Sequence, residues 1–136
     1  MFPLQHIIFS TIFCLILYPF IGLNTLVVWV VSIFIDVDHY FWYIINQKSW
    51  NLLKAYKKCK NKEFLFKYRY MLHIFHLNEL LIIIGLLSFF SIIFFYIFIG
   101  MLFHYILDWI HMYMHPETKK LRSWSLIMYI KRKLRI

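Results

Sequence analysis

Apolar residues fill four stretches of this chain almost without interruption, and polar residues gather between and after them. The first stretch runs from about Ile7 to Ile21. The second runs from about Leu23 to Ile35 and continues as an aromatic stretch, Tyr40 to Ile45, with Gly22 and Asn24 marking a tight turn before it. A polar segment over 46–69 follows, holding Lys48, Lys54, Lys57, Lys58, Lys60, Lys62, Lys67 and Arg69. Leu77 to Ile110 is then nearly unbroken hydrocarbon, and a tail over 116–136 carries Lys119, Lys120, Arg122, Lys131, Arg132, Lys133 and Arg135. Continuous apolar runs are not the alternating pattern of a barrel strand, and lipid admits only helices or closed barrels. The expected fold class is therefore all-α.

The long run decides the topology. As one helix, Leu77 to Ile110 would be roughly 50 Å long at ~1.5 Å per residue, against a hydrocarbon core about 30 Å thick. Two short spans turning near Ser88–Ser91 fit better. With the N-terminus inside, four spans put all 15 Lys and Arg on the cytoplasmic side, as the positive-inside rule prefers, whereas three would divide loop from tail. The expectation is a single membrane-embedded domain over 1–136, polytopic, with about four transmembrane helices (about 7–21, 23–45, 74–90 and 92–111). Both termini, the basic loop and the basic tail would lie in the cytoplasm at the inner membrane. Met1 to Gln5 carries no basic n-region, so the first run reads as a retained span.

Composition agrees. Of 136 residues, 62% are hydrophobic and only 15% charged, well below the quarter or so usual in soluble domains. That excludes a soluble globular domain and a disordered chain. The formal charge of +9 reads as topology and contact with anionic lipid rather than nucleic acid. The basic loop is interleaved with Trp50, Tyr56, Phe64, Phe66 and Tyr68, which suits an interfacial segment. Membrane lipids are thus the expected partners, through anionic headgroups at loop and tail; nucleic acid is not expected, and a homo-oligomer is left open. Cys14 lies in an apolar run and Cys59 in the basic loop, so no disulfide is expected, and the lack of a CxxC pair excludes a thiolate zinc site.

Against this background the ionisable residues stand out. Asp36, Asp38, Glu79 and Asp108 lie inside or at the ends of the spans, with His39, His73, His76, His104, His111 and His115 near them. Such groups are costly in lipid and mark function or pairing. Four spans bring them to one membrane depth: His6 opens span one, Asp36, Asp38 and His39 end span two, His73, His76 and Glu79 begin span three, and His104 and Asp108 lie near the end of span four. His104 and Asp108 share a helix face at i and i+4, and His111 and His115 continue the stripe. Singly, each has a structural reading: a snorkelling histidine, a helix stop, an interhelical hydrogen bond. Together they suggest a metal or catalytic site. Imidazole and carboxylate suit zinc, iron or manganese, and paired ions acidify a bound water and clamp a phosphoryl oxygen.

The segments Gln5-His6-Ile7-Ile8-Phe9-Ser10, Asp36-Val37-Asp38-His39, His73/His76 and Gly100-Met101-Leu102-Phe103-His104 followed by Asp108 resemble the YdjM-like family of inner-membrane proteins assigned as metal-dependent hydrolases. That family is distantly related to zinc-dependent phospholipase C and the P1-type nucleases. The resemblance implies His6, Asp38, His39, His104 and Asp108 as metal ligands, with His76 or His73 joining them and Asp108 bridging. Where the family often has H-R-G-x-T-H, this chain has His73-Ile74-Phe75-His76, without the Arg and Thr.

The resulting expectation is a membrane-bound hydrolase of a phosphoester, a lipid among the options, at the cytoplasmic face. Its metal ligands would come from His6, Asp36, Asp38, His39, His73, His76, His104 and Asp108, with Asp38 and Glu79 as catalytic groups. The cofactor would be one to three divalent ions, zinc first, manganese or iron as alternatives. Two rivals stand beside it: a non-catalytic metal-binding membrane protein, such as a small transporter or sensor subunit, and a lipid-associated scaffold.

Overall fold

The computed structural model describes residues 3–61, 64, 72–116, 118 and 123–134. Lys62, Phe66, Lys67, Tyr68 and Arg69 of the basic loop and Lys119, Lys120, Arg122 and Arg135 of the tail lie outside them, as does the side chain of Cys59. Among the described residues every regular element is helical: α1 (Pro3–Ile21), α2 (Thr25–Phe34), α3 (Val37–Gln47), α4 (Leu52–Lys60), α5 (Asn78–Leu87), α6 (Ile92–Met114) and α7 (Leu126–Leu134). Short 3-10 turns occupy Gly22–Asn24 and Ile74–His76. Two helical stretches are long and apolar enough to cross a membrane. One is Leu4–Gln47, interrupted by the Gly22–Asn24 turn; the other is Ile92–Met114.

The first turn depends on Gly22, whose φ of +55° lies in the left-handed region that a Cβ disfavours. Thr25 closes the turn, its Oγ1 donating to the Gly22 carbonyl at 2.7 Å. The chain then doubles back, so α1 and α2 run antiparallel: Ser10 and Ser32 join their hydroxyls at 2.7 Å, and Trp29 Nε1 donates to Thr11 Oγ1 at 3.0 Å. The long apolar run also breaks in two. Residues 88–90 form a turn, Ser91 is extended, and α6 starts at Ile92.

Two elements differ from the expected spans. Between α2 and α3 the helix steps at Ile35 and Asp36 rather than running through to Ile45. The segment 74–90 holds only a ten-residue helix, about 15 Å long and half the thickness of a hydrocarbon core. The reason is local: His73 and Leu77 have extended backbones, and Asn78 N–H bonds the Trp124 carbonyl at 2.8 Å instead of a preceding helical turn.

The bundle centres on α2 and α6, which run parallel with a constant offset of 72 residues. Asn24 Nδ2 donates to Tyr96 Oη at 3.3 Å, and His104 Nδ1 meets the Ser32 carbonyl at 2.7 Å. Midway between these contacts Gly100 lets the backbones touch, because a Cβ there would lie 2.7 Å from the Val28 carbonyl oxygen. Cys14, Val28 and Tyr96 form one small apolar core, and Ile35, Met101 and Tyr105 another. The outside is greasier than the inside. Phe20, Leu23, Phe89 and Phe90 are at least 74% exposed at the two hairpin tips, while Ser10, Ser32, His6, His76 and His104 are buried. That inversion is what a hydrocarbon solvent selects.

Candidate metal centre

Every histidine and aspartate expected as a ligand arrives at the end of the bundle away from the hairpin tips, each brought by its own element. His6 lies in the second turn of α1, Asp36 at the α2–α3 step, and Asp38 and His39 in the first turn of α3. His73 and His76 flank the short turn before α5, and His104 and Asp108 sit one turn apart on α6. Three groups of donors form: His6, His104 and Asp108; Asp36, His76 and His104; Asp38, His39 and His73. Within each, the donor atoms lie within 4.8 Å of one another.

Hydrogen bonds fix the tautomers at the centre. The Ser32 carbonyl can only accept, so His104 carries its proton on Nδ1. The Asp38 carboxylate accepts from His76 Nδ1 at 3.0 Å, and its same Oδ2 accepts from the Phe75 N–H at 3.1 Å. In the neutral rings both Nε2 atoms therefore present lone pairs, and they face each other at 3.2 Å. Two opposed lone pairs at that distance repel unless a proton or a cation lies between them.

Two carboxylates line the gap. Asp36 Oδ1 lies 3.4 Å from His76 Nε2 and 3.5 Å from His104 Nε2; Asp108 Oδ2 lies 3.6 and 3.5 Å from the same two atoms. A tetrahedral ion with bonds of about 2.0–2.2 Å separates its ligands by about 3.3–3.6 Å. The five separations, 3.2 to 3.6 Å, follow that spacing. Asp36, His76 and His104, one of the three donor groups, could hold one small divalent cation, with Asp108 Oδ2 beside the two imidazoles.

A second position adjoins the first. His6 is 1% exposed, and neither of its ring nitrogens makes a hydrogen bond, a state that costs about 1–3 kcal/mol per group if nothing else compensates. Its Nε2 lies 3.3 Å from Asp108 Oδ1 and 3.8 Å from Asp36 Oδ2, and its ring stacks on His104 at 4.0 Å. Asp108 thus turns one oxygen to His6 and the other to His76 and His104, the posture of a bridging carboxylate. The third group is the most open: His39, its ring tilted 42° against His73 with centres 3.7 Å apart, is 29% exposed.

The two acids in Asp36-Val37-Asp38, both expected as ligands, sit differently among the histidines. Asp36 has four imidazoles within 3.8 Å, whereas Asp38 positions His76 and points its other oxygen at His73 Nδ1, 3.5 Å away. Asp38 is thus a positioning residue for the central pair, the carboxylate–histidine arrangement that sets ligand orientation. Sequence reading missed the Ser32 carbonyl as its counterpart on His104; the only trace of it is that Ser32 precedes Asp36 by one helical turn.

Glu79 does not join the cluster. It lies in the first turn of α5, and its Oε1 accepts from the Leu126 N–H at 3.0 Å at the start of α7. This contact joins α5 to α7, and Glu79 belongs to none of the three donor groups. Glu79→Ala, which removes the acceptor, should leave metal content unchanged and lower stability by about 1 kcal/mol, the usual value of a helix-end bond; thermal unfolding with and without chelator checks both. His111 and His115 pair with each other, ring centres 4.7 Å apart, in and just past the last turn of α6, and belong to none of the three donor groups. Comparisons with protein-family models, curated proteins and solved structures find no match to this chain.

Proposed function

We propose that this chain is a multi-pass inner-membrane hydrolase that binds divalent metal at the His/Asp centre and cleaves a phosphoester at the cytoplasmic face. The observation that carries the reading is the opposed Nε2 pair of His76 and His104 between Asp36 and Asp108. Zinc is the first candidate, with manganese or iron as alternatives and room for one to three ions among the three donor groups. Four crossings, with both termini and the basic loop and tail inside, agree with the distribution of Lys and Arg. The resemblance to the YdjM-like family points the same way.

Bound there, a divalent ion acidifies water and polarises a phosphoryl oxygen. The chain's own residues do the rest. The Ser32 carbonyl and Asp38 hold His104 and His76 in register. Asp36 and His39, 17% and 29% exposed, form the open side through which a phosphoryl group reaches the centre. A second reading, metal binding without turnover as in a transporter or sensor subunit, draws on the near-complete burial of His6, His76 and His104.

Turnover separates the two. Purified protein reloaded with zinc or manganese should hydrolyse a chromogenic phosphodiester, and Asp36→Asn should reduce kcat/KM at least 100-fold. Metal binding with no hydrolysis of any phosphoester would favour the second reading. Single cysteines at Ser88–Ser91 should label only from outside the inner membrane; labelling from the cytoplasm would refute four crossings.

A further inference from the structure

Two cavities flank the metal centre, and they differ in chemistry. One, of about 360 Å³, lies between α2, α5 and α6 and is lined by apolar side chains throughout, Ile35, Val37, Leu80, Ile84 and Met101 among them. Its wall is continuous with the centre along the chain. Ile35 and Val37 flank Asp36, Phe75 of the same wall precedes His76, and Met101 lies one turn before His104. The other, of about 420 Å³, lies between α3 and α4 and is lined by Tyr43, Gln47, Ser49, Lys54, Lys57 and Lys58. Lys58 Nζ donates to Gln47 Oε1 at 2.6 Å, which ties α4 to the end of α3. Helix α3 connects the two: Val37 lines the apolar groove, Asp38 and His39 belong to the centre, and Tyr43 and Gln47 reach the lysine cleft. Tyr43 and Gln47 stand roughly 8 and 14 Å along the axis from Asp38.

The short α5 gives the groove its setting. A ten-residue helix covers about half of a hydrocarbon core, and α2 and α5, each ten residues long, wall the groove within the depth where acyl chains lie. An apolar groove there, a metal centre at its end and a cluster of lysines beyond form an apolar-to-cationic sequence. A water-soluble phosphoester has no use for the first part, and a neutral lipid none for the last.

We propose, resting on the hydrolase reading above, that the substrate is a bilayer lipid with a phosphate-bearing headgroup, one hydrocarbon chain in the α2–α5–α6 groove and the headgroup toward the lysine cleft. The groove supplies affinity through chain burial, the lysines supply selection for anionic headgroups, and the scissile phosphoester falls between them, at Asp36 and His39.

Binding can be measured without turnover. The probe is a chain-fluorescent dialkyl-ether phosphatidic acid, which cannot be deacylated, titrated against the full-length, metal-loaded protein in detergent micelles. Ile84→Trp, which fills the groove on α5 away from every metal ligand, should weaken binding at least tenfold with metal content unchanged. The double variant Lys54→Glu/Lys57→Glu should weaken phosphatidic acid about fivefold and leave a matched diacylglycerol analogue as it was. Should Ile84→Trp not fold, wild-type protein still decides: affinity must rise at least tenfold from dihexanoyl to dioleoyl competitors corrected for micelle partitioning. Equal binding by Ile84→Trp and wild type, or no dependence on chain length, overturns the proposal. Tight, groove-dependent lipid binding with no hydrolysis of a cleavable ester would sink the hydrolase reading and keep the lipid site.

Discussion

Replacing His104 with alanine is expected to abolish metal binding and to destabilise the protein by several kcal/mol. No other residue takes part in so many of the contacts described above. It belongs to two of the three donor groups, stacks on His6, faces His76 at 3.2 Å and donates to the Ser32 carbonyl. A ligand that binds only the folded state adds stability by mass action, about 4 kcal/mol when its free concentration is 1,000 times Kd. The alanine variant loses that contribution. It also leaves the buried Ser32 carbonyl without its donor, a further penalty of about 1–3 kcal/mol. Chelation should lower the Tm of the wild type by roughly 10 °C or more on the usual relation of ΔΔG to Tm, and should not move the variant. Elemental analysis and thermal unfolding with and without EDTA test this together. A wild type whose Tm ignores chelator, or a His104→Ala protein that retains its full complement of metal, would remove the basis for a metal centre.

Gly100→Leu should be nearly as damaging, although it touches no ligand. At Gly100 even a Cβ would meet the Val28 carbonyl at 2.7 Å and the Val31 side chain at 3.1 Å. Backbone cannot give way there without moving α2 from α6; those two helices carry Ser32, His104 and Asp108, and Asp36 follows the end of α2. Overpacking of a tight contact costs about 1–3 kcal/mol, sometimes more. Here it also pulls the Ser32 carbonyl from His104 one turn further along. Loss of a ligand's positioning partner weakens metal binding about 10–100-fold, and Gly100→Ala should fall in that range while Gly100→Leu exceeds it. Metal titration of both variants gives the comparison. Wild-type affinity in Gly100→Leu would show that the spacing of α2 and α6 does not control the centre.

The residues that meet at the centre were legible from polarity alone. Aspartates and histidines in apolar runs are too costly to be incidental, and the arithmetic of helix length against bilayer thickness located the break at Ser88–Ser91 that brings His104 back towards His6. What sequence did not reveal is which acid does what. Asp36 and Asp38 are two residues apart in a segment whose helix steps at Asp36, so periodicity could not say which carboxylate faces the opposed Nε2 atoms of His76 and His104. Glu79 stands apart from the donor groups for a related reason. Its spacing from His76 fits a helical face, but His76 lies in a 3-10 turn and Leu77 is extended, so the two do not share one. The Ser32 carbonyl is a backbone group and leaves no mark in the side-chain pattern.

The parallel offset between α2 and α6 has one more consequence. The hairpin of α1 and α2 enters with His6 and leaves with Asp36; the hairpin of α5 and α6 enters after His76 and leaves with Asp108. Each hairpin thus brings an imidazole to its start and a carboxylate to its end, and α6 adds His104 to the second. Neither half encloses a complete donor set, so the chemistry resides at the seam, and a change that slides one hairpin past the other by a single turn would silence the molecule while leaving every helix intact.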